Sequence, residues 1–141
     1  MGKINLSRVI LGGLLAGVIF NISEGVLHTV VLRAQNEELM KALGKTTPTG
    51  GSVMTVWILL GFVWGIAAVW LYAAIRPRFG PGAATAARTG VVAWFFGCLL
   101  TSVVLTNMGL FPISPLELGW ELVQDIVAVV AGAWLYKEAA A

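Results

Sequence analysis

Charge is scarce in this chain. Nine lysines and arginines and seven aspartates and glutamates make up 11% of its 141 residues, where a soluble domain carries about a quarter. So little charge cannot clothe a globular surface in water, and a net charge of +2 builds no basic patch for nucleic acid. Cysteine is scarcer still: Cys98 is the only one, which excludes an intrachain disulfide and any CxxC or Cys/His zinc pattern. His28 is the only histidine, so one chain cannot give bis-histidine haem ligation. Haem or chlorophyll held through His28 at a subunit interface is the one pigment arrangement left open. No phosphate-cradling glycine loop with a lysine follows a strand, and no nucleophile–base–acid set falls on one face. The sequence therefore reads as non-enzymatic, with no resident cofactor expected.

Apolar residues, by contrast, fill 58% of the chain, and the mean hydropathy is +0.88. They gather in the runs Val9–Leu32, Val53–Ile75, Thr89–Leu110 and Leu118–Trp134. Crossing about 30 Å of hydrocarbon takes roughly 20 residues at 1.5 Å each. The first three runs meet that length; the fourth must stand nearly upright or thin the bilayer. Backbone groups in lipid have to be satisfied within each segment. The expectation is an all-α, four-transmembrane-helix bundle, one domain over residues 1–141, with spans at about 9–32, 53–75, 89–110 and 118–136. The first run, preceded by Lys3 and Arg8, continues past a signal-peptide core without a small-x-small cleavage site, so it reads as a retained helix.

Basic residues set the orientation. Lys3, Arg8, Arg76, Arg78, Arg88 and Lys137 fall on the side of both termini, against Arg33, Lys41 and Lys45 opposite, where Glu37 and Glu38 dilute them. The positive-inside bias places both termini in the cytoplasm of an inner-membrane protein. Trp57 and Trp120 are then expected near the outer boundary, and Trp70, Tyr72, Trp134 and Tyr136 near the inner one; Trp64, in mid-span, reads as helix packing. In the first outer loop, Ala34–Leu43 carries Leu39, Met40 and Leu43 on one side with Gly44 as a stop, which predicts a short amphipathic helix. Lys45–Ser52, with Pro48, reads as loop, Arg76–Gly82 as a tight inner turn, and Phe111–Pro115 as the outer turn between the last two spans.

Ionisable residues inside the spans mark the candidate site. Gly13, Gly17, Asn21, Glu24 and His28 recur in steps of three and four, which keeps them on one helix face. Gly13 and Gly17 form a GxxxG pair that admits a close neighbour. The last span has a matching stripe of Glu121, Asp125, Ala128 and Gly132, with Gln124 beside it. Counted from the outer ends, Glu24 and Asp125 lie roughly 10–12 Å deep and His28 and Glu121 roughly 4–6 Å deep. If the two helices are neighbours, Glu24 faces Asp125 and His28 faces Glu121, with Thr101, Ser102, Thr106 and Asn107 contributing from the third span.

Two close carboxylates away from water do not both stay ionised: one takes a proton, or a cation sits between them. Three readings follow. The cluster is hydrogen-bonded structural glue in a small membrane subunit or scaffold, which self-associates or joins other membrane subunits in the bilayer. Alternatively it handles protons or cations in a transporter, or it holds a metal through Glu24, His28, Glu121 and Asp125, a donor set that suits manganese, iron or zinc. The first is the leading expectation.

The opening Arg8-Val-Ile-Leu-Gly-Gly-Leu-Leu-Ala-Gly17 leading to Asn21 and Glu24, the segment Leu71–Gly82, and the closing Gly132-Ala-Trp-Leu-Tyr-Lys137 resemble small bacterial four-helix integral membrane proteins with no assigned activity. The resemblance implies a bacterial inner-membrane location and carries over no catalytic residue. Small multidrug transporters, which also place a Glu in the first helix, are shorter and lack this outer loop.

Overall fold

Two polar caps open the first and last long helices. Asn5 accepts from the Arg8 amide at 3.2 Å, and Ser114 accepts from the Glu117 amide at 3.3 Å with Pro115 at the first helical position, the arrangement that satisfies otherwise orphaned N–H groups. The computed structural model describes residues 3–46 and 50–138. Among them the chain is helical throughout, with no strand. Helix α1 (Leu6–Val26) continues through a π-helical turn, Leu27–Val31, into the short α2 (Arg33–Ala42). Helix α3 spans Gly51–Phe79. Helix α4 (Ala83–Trp94) runs through a second π-helical turn, Phe95–Leu99, into α5 (Leu100–Asn107), and α6 spans Pro115–Trp134.

Three helical segments are long and apolar enough to cross a membrane: Leu6–Val31, Gly51–Phe79 and Ala83–Asn107. That is one fewer than the sequence reading counts. Helix α6 has the length, but Glu117, Glu121 and Asp125 along it dilute its apolar character. Element bounds also move. Helix α3 runs through Arg76, Pro77 and Arg78 to Phe79, so the expected turn from Arg76 shrinks to Gly80-Pro81-Gly82, and α4 starts six residues before Thr89. Gly80 (φ +83°) and Gly82 (φ +118°) make that reversal in a region other residues avoid.

The amphipathic α2 lies where its pattern places it. Gly44 (φ +67°) ends it, its amide bonding to Lys41 O at 3.0 Å while the Lys45 amide bonds to Met40 O at 2.9 Å, a Schellman closure. Pro48 lies outside the described residues.

Helix α1 packs most extensively on α3 and then on α6; α6 packs on α4, while α3 and α4 touch each other far less. Small residues make these approaches. A Cβ on Gly65 would meet Gly13 O and Gly17 N at 2.5 Å, one on Gly12 would strike Gly132 O, and one on Gly90 would meet Asp125 O at 2.8 Å. The Gly13/Gly17 face is thus filled by α3 of the same chain, against Ile66 and Phe62, and is not free for a second copy. Ala16, Ala68, Ala86 and Ala128 complete a core that is mostly small side chains, the packing membrane helices favour. Large apolar side chains such as Trp57, Val30 and Trp134 point outward, an outside suited to lipid rather than water.

Both termini and the α3–α4 turn share one end. There Tyr136 stacks edge-on against Tyr72 at 5.9 Å, the Arg76 guanidinium lies 5.6 Å over the Tyr136 ring, and Arg76 pairs with Glu138 at 3.0 Å. Tyr72 and Tyr136, expected at a boundary belt, are buried instead; their hydroxyls accept from the Gly82 and Asn5 amides.

Candidate functional site

At the opposite end, α1 departs from its regular repeat. The Leu32 amide reaches back five residues to Leu27 O at 2.7 Å, and this π turn carries His28. Such turns recur at functional positions because they re-aim a side chain. His28 Nε2 lies 3.1 Å from Glu24 Oε2, and Asn36 Nδ2 of α2 lies 3.3 Å from His28 Nδ1. A proton on Nε2 satisfies both contacts: Nε2–H donates to Glu24 and Nδ1 accepts from Asn36. Helix α2 is thereby tied to the cluster. The other Glu24 oxygen, Oε1, accepts from Gln124 Nε2 at 2.5 Å.

Helices α1 and α6 are neighbours, but the partner of Glu24 is Gln124, not Asp125. Adjacent positions on a helix point about 100° apart, and depth counting carries no information about rotation. Glu121 does converge: one ligand atom each from Glu24, His28 and Glu121 lie within 4.8 Å of one another. Asp125, buried one turn deeper, stays outside that group and has the Trp64 indole as a neighbour. Trp64 also covers Gly97, a packing role.

The second π turn holds the buried Cys98, with Glu121 and Ser102 as its polar neighbours. Its place near Glu121 depends on α4 lying against α6, which no local pattern announces. Asn36 and Ser23 are likewise missed. Ser23 accepts from Trp120 Nε1 at 2.8 Å, and the adjacency of Ser23 to Glu24 is the one signal that was available. Asn21 bonds to Gly17 O at 2.8 Å and to Ile58 O at 3.2 Å on α3, below the Glu24 group. From the third span, Thr106 bonds to Phe111 O at 2.7 Å and Asn107 to Val103 O at 2.8 Å; both are spent on nearby backbone. Gly13, Gly17 and Gly132 sit in the helix crossings, not in the cluster.

Chemically the cluster offers two carboxylates, one imidazole, a thiol and an amide, half-buried at one end of the fold. Gln124 Oε1 is buried without a partner among the described residues. One imidazole and two carboxylates within 4.8 Å of one another are a donor set that manganese, iron or zinc accepts. Toward the termini the buried polar side chains are Thr85 and Thr89, and they donate to Phe79 O at 3.2 Å and Thr85 O at 2.9 Å. Compared with protein-family models, with curated proteins and with solved structures, the chain has no match.

Proposed function

We propose that the chain is a non-catalytic membrane protein, a small subunit or scaffold, in which the Glu24 cluster is the clasp that fixes α1 against α6. In this reading α6 is a fourth, partly polar span, its carboxylates facing α1 and α4 rather than lipid. Both termini lie in the cytoplasm of a bacterial inner membrane, the side on which Lys3, Arg8, Arg76, Arg78, Arg88 and Lys137 gather. The observation that carries the reading is the occupation of both Glu24 oxygens by partners of the same chain, His28 and Gln124. Groups so engaged specify helix register. The buried hydroxyls toward the termini, already bonded to backbone, give protons or cations no relay and weigh against transport.

Glu24→Gln tests the clasp. The new amide can still accept from Gln124, and it can donate to His28 Nε2 if the imidazole proton moves to Nδ1 and Asn36 turns its Oδ1 toward it. Stability in mild detergent should then fall by less than about 1 kcal/mol, with oligomeric state and co-purifying proteins unchanged. Recovery of the native chain as a lone monomer with no co-purifying protein would refute the subunit reading.

A second reading draws on the convergence of Glu24, His28 and Glu121: a divalent cation bound at the open end. Titration of the purified chain with manganese or zinc, read by calorimetry, should then show one ion per chain and a loss of affinity of tenfold or more in Glu121→Gln. Equal heats from the native chain and Glu121→Gln would remove it.

A further inference from the structure

The weakly packed edge between α3 and α4 opens into a cleft of about 310 Å³ lined by Leu71, Ile75, Phe79, Val92 and Arg88. A second hollow of about 150 Å³ shares Leu71 and Val92 and carries the groove on to Trp64 and Phe96. The larger hollow is at the lower end of the volumes that hold small ligands, about 300–1,000 Å³. Fifteen residues separate Trp64 from Phe79, so the groove extends over about 22 Å of helix, enough for one leaflet of hydrocarbon, about 15 Å deep. Its walls are apolar except at one end. There the Arg88 guanidinium lies 5.8 Å over the Phe79 ring, its stem along the groove and its charge at the mouth.

We propose that this groove binds one anionic phospholipid, with an acyl chain along Leu71 and Val92 and the phosphate at Arg88. The inference rests on the membrane-spanning reading and is independent of the polar cluster. Charge complementarity selects the ligand. Arg76 at the same end is taken by Glu138, whereas among the described residues no carboxylate pairs with Arg88 or with the exposed Arg78. An unpaired arginine at the mouth favours a headgroup with net negative charge over one that carries its own ammonium.

Native mass spectrometry of the detergent-purified full chain, titrated in parallel with phosphatidylglycerol and phosphatidylcholine, tests the proposal. One phosphatidylglycerol should be retained per chain, preferred by roughly fivefold, which corresponds to the about 1 kcal/mol expected from the single arginine at the groove. Arg88→Gln should abolish the preference, and Val92→Trp, which fills the groove, should abolish retention of either lipid. Both side chains are exposed, so each variant should keep the native circular dichroism. Equal retention of the two lipids by the native chain overturns the proposal, as does a Val92→Trp variant that retains phosphatidylglycerol like the native chain.

Discussion

Gly65→Ala adds one methyl group where α1 and α3 cross closely. Its Cβ would sit 2.5 Å from Gly13 O and Gly17 N and 2.9 Å from Gly17 Cα. All three obstacles are backbone atoms, so no rotamer change relieves them, and the helices must part by about 1 Å to restore ordinary contact. Overpacking of this kind costs about 1–3 kcal/mol, and a backbone clash belongs at the upper end. Alanine returns about 1 kcal/mol through its higher helix propensity, which leaves a net loss of roughly 2 kcal/mol. The Asn21–Ile58 bond, 3.2 Å long and spanning the same crossing, should weaken with it. Gly25→Ala is the matched control: it lies on α1, and its Cβ meets nothing within 4 Å, so that variant should be as stable as the native chain or more so. The assay is denaturant unfolding in a mild detergent micelle, followed by helicity. Equal midpoints for Gly65→Ala and Gly25→Ala would refute the glycine-mediated crossing.

Two further substitutions probe the cluster and its cover. Trp120→Phe and Ser23→Ala each remove one partner of the 2.8 Å bond between α6 and α1; a double-mutant cycle should return a coupling of about 0.6–1.7 kcal/mol, and zero coupling would mean the bond does not form. Gly44→Ala places a side chain at φ +67°, a conformation costing roughly 1–2 kcal/mol, and should fray the end of α2. Hydrogen exchange should then quicken across Arg33–Ala42, and unchanged protection there would contradict the Schellman closure.

Much of the architecture is legible in the chain because membrane helices announce themselves by composition. The apolar runs locate α1, α3 and the α4–α5 rod, and the spacing of Leu39, Met40 and Leu43 with Gly44 behind them locates α2. Helix ends are less legible, since an apolar run marks the stretch suited to hydrocarbon while caps and turn glycines decide where the helix stops. Arg76, Pro77 and Arg78 look like a turn by residue type, yet the reversal waits for Gly80 and Gly82, which supply the positive φ. The status of α6 shows the limit in the other direction: Glu117, Glu121 and Asp125 give it a helical pattern and deny it the apolarity of a clear span. Within the cluster, the i, i+4 relation of Glu24 and His28 and the convergence of Glu121 follow from periodicity and depth. The choice of Gln124 over Asp125 does not, because it depends on how α6 is rotated about its axis.

Why the polar groups collect at one end follows from the cost of burying them. An ionisable side chain near the bilayer boundary keeps some access to water, and its cost falls with that access. Glu24 and His28 are half-buried at that end of the fold, the former with both oxygens engaged, while Asn36 of α2 reaches His28. Asp125, one turn deeper and almost fully buried, lies beside the Trp64 indole. The opposite end is closed by different means, through Tyr72, Tyr136 and the Arg76–Glu138 pair, and between the two Asn21, Thr85 and Thr89 bond to backbone. A conducting protein needs polar groups that can exchange partners along its whole depth. Here, among the described residues, the buried polar side chains toward the termini are threonines bonded to backbone, and the helix crossings there are built largely from alanine, glycine and valine. In the proposed reading that asymmetry favours a clasp over a pathway, at the end where Asn36 of α2 meets His28.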